Sequence, residues 1–168
     1  MNIRCPNSSD YKVIAELNRL TFEGENEAQL VEYVRHSDRY IPELELVADL
    51  DGTVVGHILF SYIDLVGQEH LQVLGLAPIA VLPGFQRRGI GSLLVRMGLK
   101  AAEAREELMV IVLGHPQFYS RFGFEPTVAY GIESPFPVPN EVFMVKLLKN
   151  YQGAYRGKVV YPPAFNQV

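Results

Sequence analysis

The segment Gln86-Arg87-Arg88-Gly89-Ile90-Gly91-Ser92 has the residue types and spacing of an anion site. Glycines at 89 and 91 let the backbone take otherwise costly angles, and their missing side chains let a ligand approach the main chain. A helix opening at this point would offer unpaired N–H groups and a partial positive charge, both of which favour phosphate. Arg87 and Arg88 add charge at the mouth. Two nucleotide signatures fail here. A Walker loop needs G-x-x-x-x-G-K-[ST]; Gly84 to Gly89 has the spacing, yet Ile90 stands where lysine belongs. A dinucleotide fingerprint needs another glycine three residues after Gly91, and Leu94 occupies that place. The residues alone leave two readings: a pyrophosphate cradle, or a tight strand-to-helix turn carrying solvated arginines.

Few other side chains offer chemistry. Histidines at 36, 57, 70 and 115 are too scattered for a clustered metal site, so no metal is expected. His57 and His70 fall on expected strands and read as hydrogen-bonded or exposed strand residues. His115, just before Pro116, suits a turn as well as a proton transfer. Cys5 has no partner in the chain, which excludes an internal disulfide, and it reads as a small core or edge residue.

The elements that must position these residues are legible in the periodicity. Ser8-Ser9-Asp10 supplies N-caps for a helix with Val13, Ile14, Leu17 and Leu20 on one face. Asn26 and Gln29 suggest a capping box for a second helix burying Leu30, Val31 and Val34. The period then alternates: Leu44, Leu46, Ala48 and Leu50 point one way, and Glu45, Val47 and Asp49 the other. Asp51-Gly52 marks a hairpin turn, with a returning strand from Thr53 to about Leu65 and a third from about His70 to Val81. Ile90, Leu93, Leu94, Met97, Ala101, Ala104 and Leu108 repeat at helical spacing, and Met109 to Leu113 is an apolar run suited to a doubly buried strand. Strand, helix and strand imply a right-handed crossover, with the last strand parallel to the one ending at Val81. A short helix near Pro116 to Phe122, a four-proline loop from Glu125 to Asn140, and strands at Val142 to Leu148 and Val159 to Tyr161 complete the expectation. The fold class is α/β: a mixed, mostly antiparallel sheet with one parallel pair, flanked by helices.

Composition bounds the rest. The chain has 168 residues, is 48% hydrophobic and 20% charged, and carries a net charge of −4. That length suits one domain with a substantial core, and the apolar fraction excludes whole-chain disorder. An acidic balance argues against sequence-independent nucleic-acid binding. The balance is uneven, however. Residues 87–105 hold five basic and one acidic group, against ten basic and eighteen acidic elsewhere, and the segment stays positive when extended through Glu106 and Glu107. No stretch has the apolar length of a membrane span or a secretory signal, so the expected setting is the cytoplasm, without a membrane partner.

At the glycine loop the sequence resembles a known family. Ile79-Ala80-Val81-Leu82-Pro83-Gly84-Phe85-Gln86-Arg87-Arg88-Gly89-Ile90-Gly91 is similar to the acyl-CoA motif of the GNAT superfamily of N-acetyltransferases, an apolar strand followed by Q/R-x-x-G-x-G/A opening a helix. Tyr119-Ser120-Arg121-Phe122-Gly123-Phe124 matches the family's Y-x-x-x-G-F segment. Leu113-Gly114-His115-Pro116 and the tail resemble a bacterial-type group of predicted acetyltransferases within it.

The resemblance implies a GNAT fold over residues 1–148, with 149–168 as a C-terminal extension packed on the same domain. It implies acetyl-CoA as co-substrate. Backbone amides of Arg87, Arg88, Gly89, Ile90, Gly91 and Ser92, flanked by Gln86, would hold the pyrophosphate, and the strand edge at Ile79, Ala80 and Val81 would pair with pantetheine. Tyr119 would protonate the departing sulfur, unless it only packs beside Phe118 and Phe122. No general base is assigned: Met109 to Leu113 carries no acidic residue. The acceptor would be a primary amine, on a small molecule, a protein lysine or an N-terminus, attacking directly in a ternary complex. Glu23, Glu25, Glu27 and Glu32, with Tyr130, Glu133 and Phe136, would form an acidic, aromatic acceptor wall, or merely a solvated face. Monomer and homodimer both fit the family. A reading of a different class is a non-catalytic acyl-CoA sensor.

Overall fold

The computed structural model describes residues 1–153 and 155–167. The chain opens with β1 (Asn2–Arg4) and a 3-10 turn (Ser8–Asp10) leading into α1 (Tyr11–Phe22). The cap falls one residue earlier than the sequence suggests. Asn7 accepts from the Ser9 amide, and Asp10 accepts from the Asn7 amide. Helix α2 (Asn26–Arg35) follows, without a side-chain cap at its start. In α1 only Ile14 and Leu17 of the four expected apolar residues are buried; Val13 and Leu20 face solvent, because the helix meets the sheet along a narrow stripe.

Strands β2 (Glu45–Leu50), β3 (Thr53–Val66) and β4 (His70–Val81) form the expected antiparallel meander. Positive φ at both Asp51 (50°) and Gly52 (91°) makes the β2–β3 connection a type I′ hairpin, whose twist matches its strands. Helix α3 (Ile90–Ala104) crosses over to β5 (Met109–Leu113), which runs parallel to β4. After α4 (Pro116–Tyr119) come the short strands β6 (Glu125–Pro126) and β7 (Ile132–Glu133), then β8 (Phe143–Leu147) and β9 (Gly157–Val160). The sheet order is β1-β2-β3-β4-β5-β8-β6, and β9 takes the edge of β3 that β2 has left, pairing also with β7. This is the mixed, mostly antiparallel α/β architecture expected, with β4–β5 as the expected parallel pair and the short β7–β9 pairing as a second one.

Two hydrophobic layers sandwich the sheet. Helices α1 and α2 cover one face through Ile14, Leu17, Leu30 and Val34, and α3 covers the other through Ile90, Leu94 and Val95. Double coverage corrects the alternation expected for β2, since Glu45 and Val47 are as fully buried as Leu44 and Ala48. Glu45 survives there because it is saturated with donors. It accepts from Arg35 (2.5 Å), the Tyr40 hydroxyl (2.7 Å) and His57 Nε2 (2.9 Å). His57 is therefore a fully buried strand histidine, with Asn18 Nδ2 lying 3.3 Å from its other ring nitrogen. The face of α3 is also rotated from expectation: Gly98 and Ala102 are buried, whereas Met97 is exposed. Cys5 is exposed just beyond β1, so it is not a core residue.

Candidate active site

Strands β4 and β5 stay together only briefly. Their register comprises Leu74 with Val110 and Gly75 with Ile111, after which they diverge. Two local features of β4 help to open the gap. An extra residue at Ala77–Pro78 makes a bulge against β3, between the pairs Phe60–Leu76 and Ile58–Ile79, and a bulge bends its strand. Pro78 also lacks the N–H that a ladder would need. The backbone of β4 beyond Gly75 consequently presents an edge unpaired by β5. A cleft of about 670 Å³ occupies the splay. Its floor is Leu76 to Ile79 and Val81; Thr21, Phe22, Glu27 and Leu30 form one wall, and Leu113, Gly114, His115 and Tyr119 the other.

The glycine loop lies at one end of this cleft. Left-handed backbone at Arg87 (φ 64°) and Gly89 (φ 82°) curls it as in backbone anion nests. The first helical bond of α3 runs from the Leu93 amide to the Gly89 carbonyl. No chain acceptor takes the amides of residues 87–92 among the described residues. A second cavity of about 440 Å³ lies over them, lined by Arg87, Gly89, Ile90, Gly91, Ser92 and Arg121 among others. A Cβ at Gly89 would meet nothing within 4 Å, and one at Gly91 would stand 3.7 Å from Phe118 and 3.9 Å from Val81. The loop thus keeps open, amide-lined space against a positive helix end, which fits a pyrophosphate.

Of the residues expected at the site, Ile79, Val81, Gln86, Gly91 and Tyr119 line the larger cleft, and Arg87, Gly89, Ile90 and Ser92 the cradle. Ala80 turns its side chain into the α1–α2 layer, leaving only its backbone to the edge. Arg88 stacks over Phe85, 5.1 Å from its ring centroid, and lines neither cavity. Gln86 Nε2 donates to the Val81 carbonyl (3.0 Å), tying the loop back to the strand.

Tyr119 is buried against Gly114, whose added Cβ would meet the ring at 2.4 Å, and is edge-on to Phe118 and Phe124. Burial pushes its phenol up to about 12, so at neutral pH it holds its proton. The His115 carbonyl accepts from the amides of Phe118 and Tyr119, the turn role, while its exposed side chain also lines the cleft.

The expected acceptor wall is only partly assembled. Glu27 lines the cleft, whereas Glu25 pairs with Arg19 (2.8 Å) and Glu32 with Arg35 and His36 on the outer surface. Tyr130 donates to Glu125, and Glu133 and Phe136 line a separate cavity of about 270 Å³. Two contributors escaped the sequence reading. Thr21 closes the α1 end of the cleft, its hydroxyl donating to the Val81 carbonyl over 3.3 Å. Arg121 reaches the cradle from beyond α4; as a cation two residues after Tyr119 it carried a signal, which the apolar pattern around it masked.

Known proteins share this fold. Residues 11–124 match the acetyltransferase (GNAT) family. The uncharacterized N-acetyltransferase YhbS of Escherichia coli K12 is 33% identical over 168 residues, covering 99% of both chains. A crystal structure of YhbS from Escherichia coli in complex with CoA, 34% identical, superposes with a TM-score of 0.89, over 98% of this chain and 91% of that one. A GNAT family acetyltransferase from Brucella melitensis in complex with acetyl-CoA, 28% identical, gives a TM-score of 0.80 over 98% and 97% of the two chains. The uncharacterized N-acetyltransferase YjhQ of Escherichia coli K12 is 36% identical over 79% of this chain and 75% of its own. With this fold, this loop and these relatives, the chain belongs to the GNAT family and is an acyltransferase.

Proposed function

We propose that the chain transfers an acetyl group from acetyl-CoA to a primary amine by direct attack in a ternary complex. The observation that carries this reading is the continuity of the two cavities: Val81, Gln86, Gly91 and Phe118 line both, so one groove runs from the amide cradle to Tyr119. Acetyl-CoA supplies the activated acyl group. The amides of Arg87 to Ser92 hold its pyrophosphate, and the free edge of β4 at Ile79 to Val81 pairs with its amide-bearing arm, as an added strand does. The acyl end then lies in the splay beside Tyr119, whose neutral phenol donates to the sulfur as the carbon–sulfur bond breaks. Residues 1–148 form the catalytic domain in this reading, with 149–168 as an extension packed on it; β9 on the edge of β3 and the buried Phe165 support that assignment.

Thiol release from acetyl-CoA tests the reading, measured with polyamines, amino acids, aminoglycosides, simple monoamines and lysine-bearing peptides as acceptors. Acceptor-dependent release is expected. Tight CoA binding without release from any of them would overturn transferase chemistry in favour of an acyl-CoA sensor.

A further inference from the structure

Building on the proposed amine acetylation, we infer that Glu27 anchors and deprotonates the acceptor, and that the acceptor carries one cationic amine on an apolar body. Among the described residues lining the cleft, Glu27 supplies the single carboxylate, and there is no lysine or arginine. Its carboxylate is in no ion pair or hydrogen bond among the described residues, unlike those of Glu25 and Glu32 on the same helical wall. It stands on the wall opposite Tyr119 and His115, the other titratable groups facing the cleft. An arriving ammonium must shed water between apolar walls, which is costly unless a carboxylate meets it. One carboxylate can meet one ammonium. Additional cations of a polyamine or aminoglycoside would have no partner here.

The apolar body follows from the rim. Phe22 and Leu113 lie on opposite walls of the cleft, and both are exposed large apolar side chains (39% and 45%). An alkyl or aryl group covering them removes apolar surface from water; a polar body does not. The protons balance. The ammonium gives one proton to Glu27, which passes it to water. Its nitrogen then bonds to the acyl carbon, the carbon–sulfur bond breaks, and the sulfur takes the Tyr119 proton. The second proton lost by nitrogen restores the phenol.

The test compares phenethylamine, ethanolamine, spermidine, kanamycin and a lysine-bearing peptide as acceptors for the full-length chain. Phenethylamine is expected to give the highest kcat/KM. Glu27→Gln should lower that value at least about tenfold near neutral pH, leaving the Kd for CoA within about twofold. The deficit should narrow as pH rises and free amine arrives already neutral. Glu27→Asp should recover part of the loss, and Glu23→Gln, at an exposed position outside the cleft, should match the parent. Preference for the polycations or the peptide, or a Glu27→Gln deficit that is absent or independent of pH, would overturn the inference while leaving acetyl transfer standing. Absence of transfer to every amine despite CoA binding would overturn both.

Discussion

Arg121 Nη2 donates to Ser92 Oγ over 3.1 Å, joining the segment after α4 to the first turn of α3. The guanidinium is steadied by the rings of Phe118 and Phe122, whose centroids lie 5.0 and 5.4 Å away. A cation supplied from outside the glycine loop is thereby held at the cradle.

Arg121→Ala should therefore weaken CoA binding by about tenfold, the scale of one charge-assisted hydrogen bond at a partly solvated site. Titration calorimetry with CoA would check this, and higher salt should shrink the difference. Arg121→Lys should recover only part of the affinity, because ammonium lacks the planar group that stacks on the two rings. Unchanged affinity in Arg121→Ala would remove the residue from the cradle.

Tyr119→Phe keeps the ring that packs on Gly114 and removes only the hydroxyl. Turnover at saturating acetyl-CoA should fall about a hundredfold, as for loss of a general acid, with CoA affinity nearly intact. Because burial pushes the phenol up to about 12, its deprotonation should not limit the parent enzyme below that pH. An alkaline decline in kcat centred near the ordinary tyrosine value of 10 would contradict this assignment.

Acid stability should depend on Glu45. Burial by itself would raise its carboxyl, but hydrogen bonds from His57 and Arg35, joined by Tyr40, overcome this and hold it down at about 2. A carboxylate lowered on folding contributes stability in full above its ordinary value of 4.5 and loses it as pH falls toward about 2. Asp10, held by Arg4, and Asp64, held chiefly by Arg39, are lowered too and act in the same direction. Glu45→Ala leaves Arg35 and His57 buried without their acceptor, and should cost about 3–5 kcal/mol near neutral pH. The difference from the parent should shrink between pH 4.5 and 2, as followed by urea unfolding at each pH.

Gly98 permits α3 to lie against β3. An added Cβ there would meet Phe60 Cε1 at 2.1 Å and Cζ at 2.5 Å. Alanine is the better helix former by about 1 kcal/mol, yet overpacking in a filled core costs about 1–3 kcal/mol. Gly98→Ala should accordingly lower the melting temperature by a few degrees, roughly 2–4 °C per kcal/mol for a chain of this size. A rise in melting temperature would show that Phe60 has room to move.

Element order and the open glycine loop were legible in sequence for physical reasons. Strand and helix periods differ, so the change from alternation to helical spacing located β2 to β4 and α3 closely. Glycines at 89 and 91 advertised a backbone that a ligand can approach, whatever surrounds it. Periodicity was weaker on which residues of an element are buried. Val13, Leu20 and Met97 carry apolar side chains on helical faces, but the sheet covers only part of each face.

The amino-acid sequence determined the fold class and a glycine loop that a ligand can approach, since each depends on local chain chemistry and short spacing, whereas Tyr119 stood out through the family resemblance. Tertiary structure decided the rest. It buried Glu45 and His57 with partners drawn from α1, α2 and the approach to β2. It brought Arg121 to Ser92, and it turned Glu27 alone of four neighbouring glutamates toward the cleft. Such placements depend on which distant segments become neighbours once the sheet is covered on both faces, and no spacing along the chain encodes that.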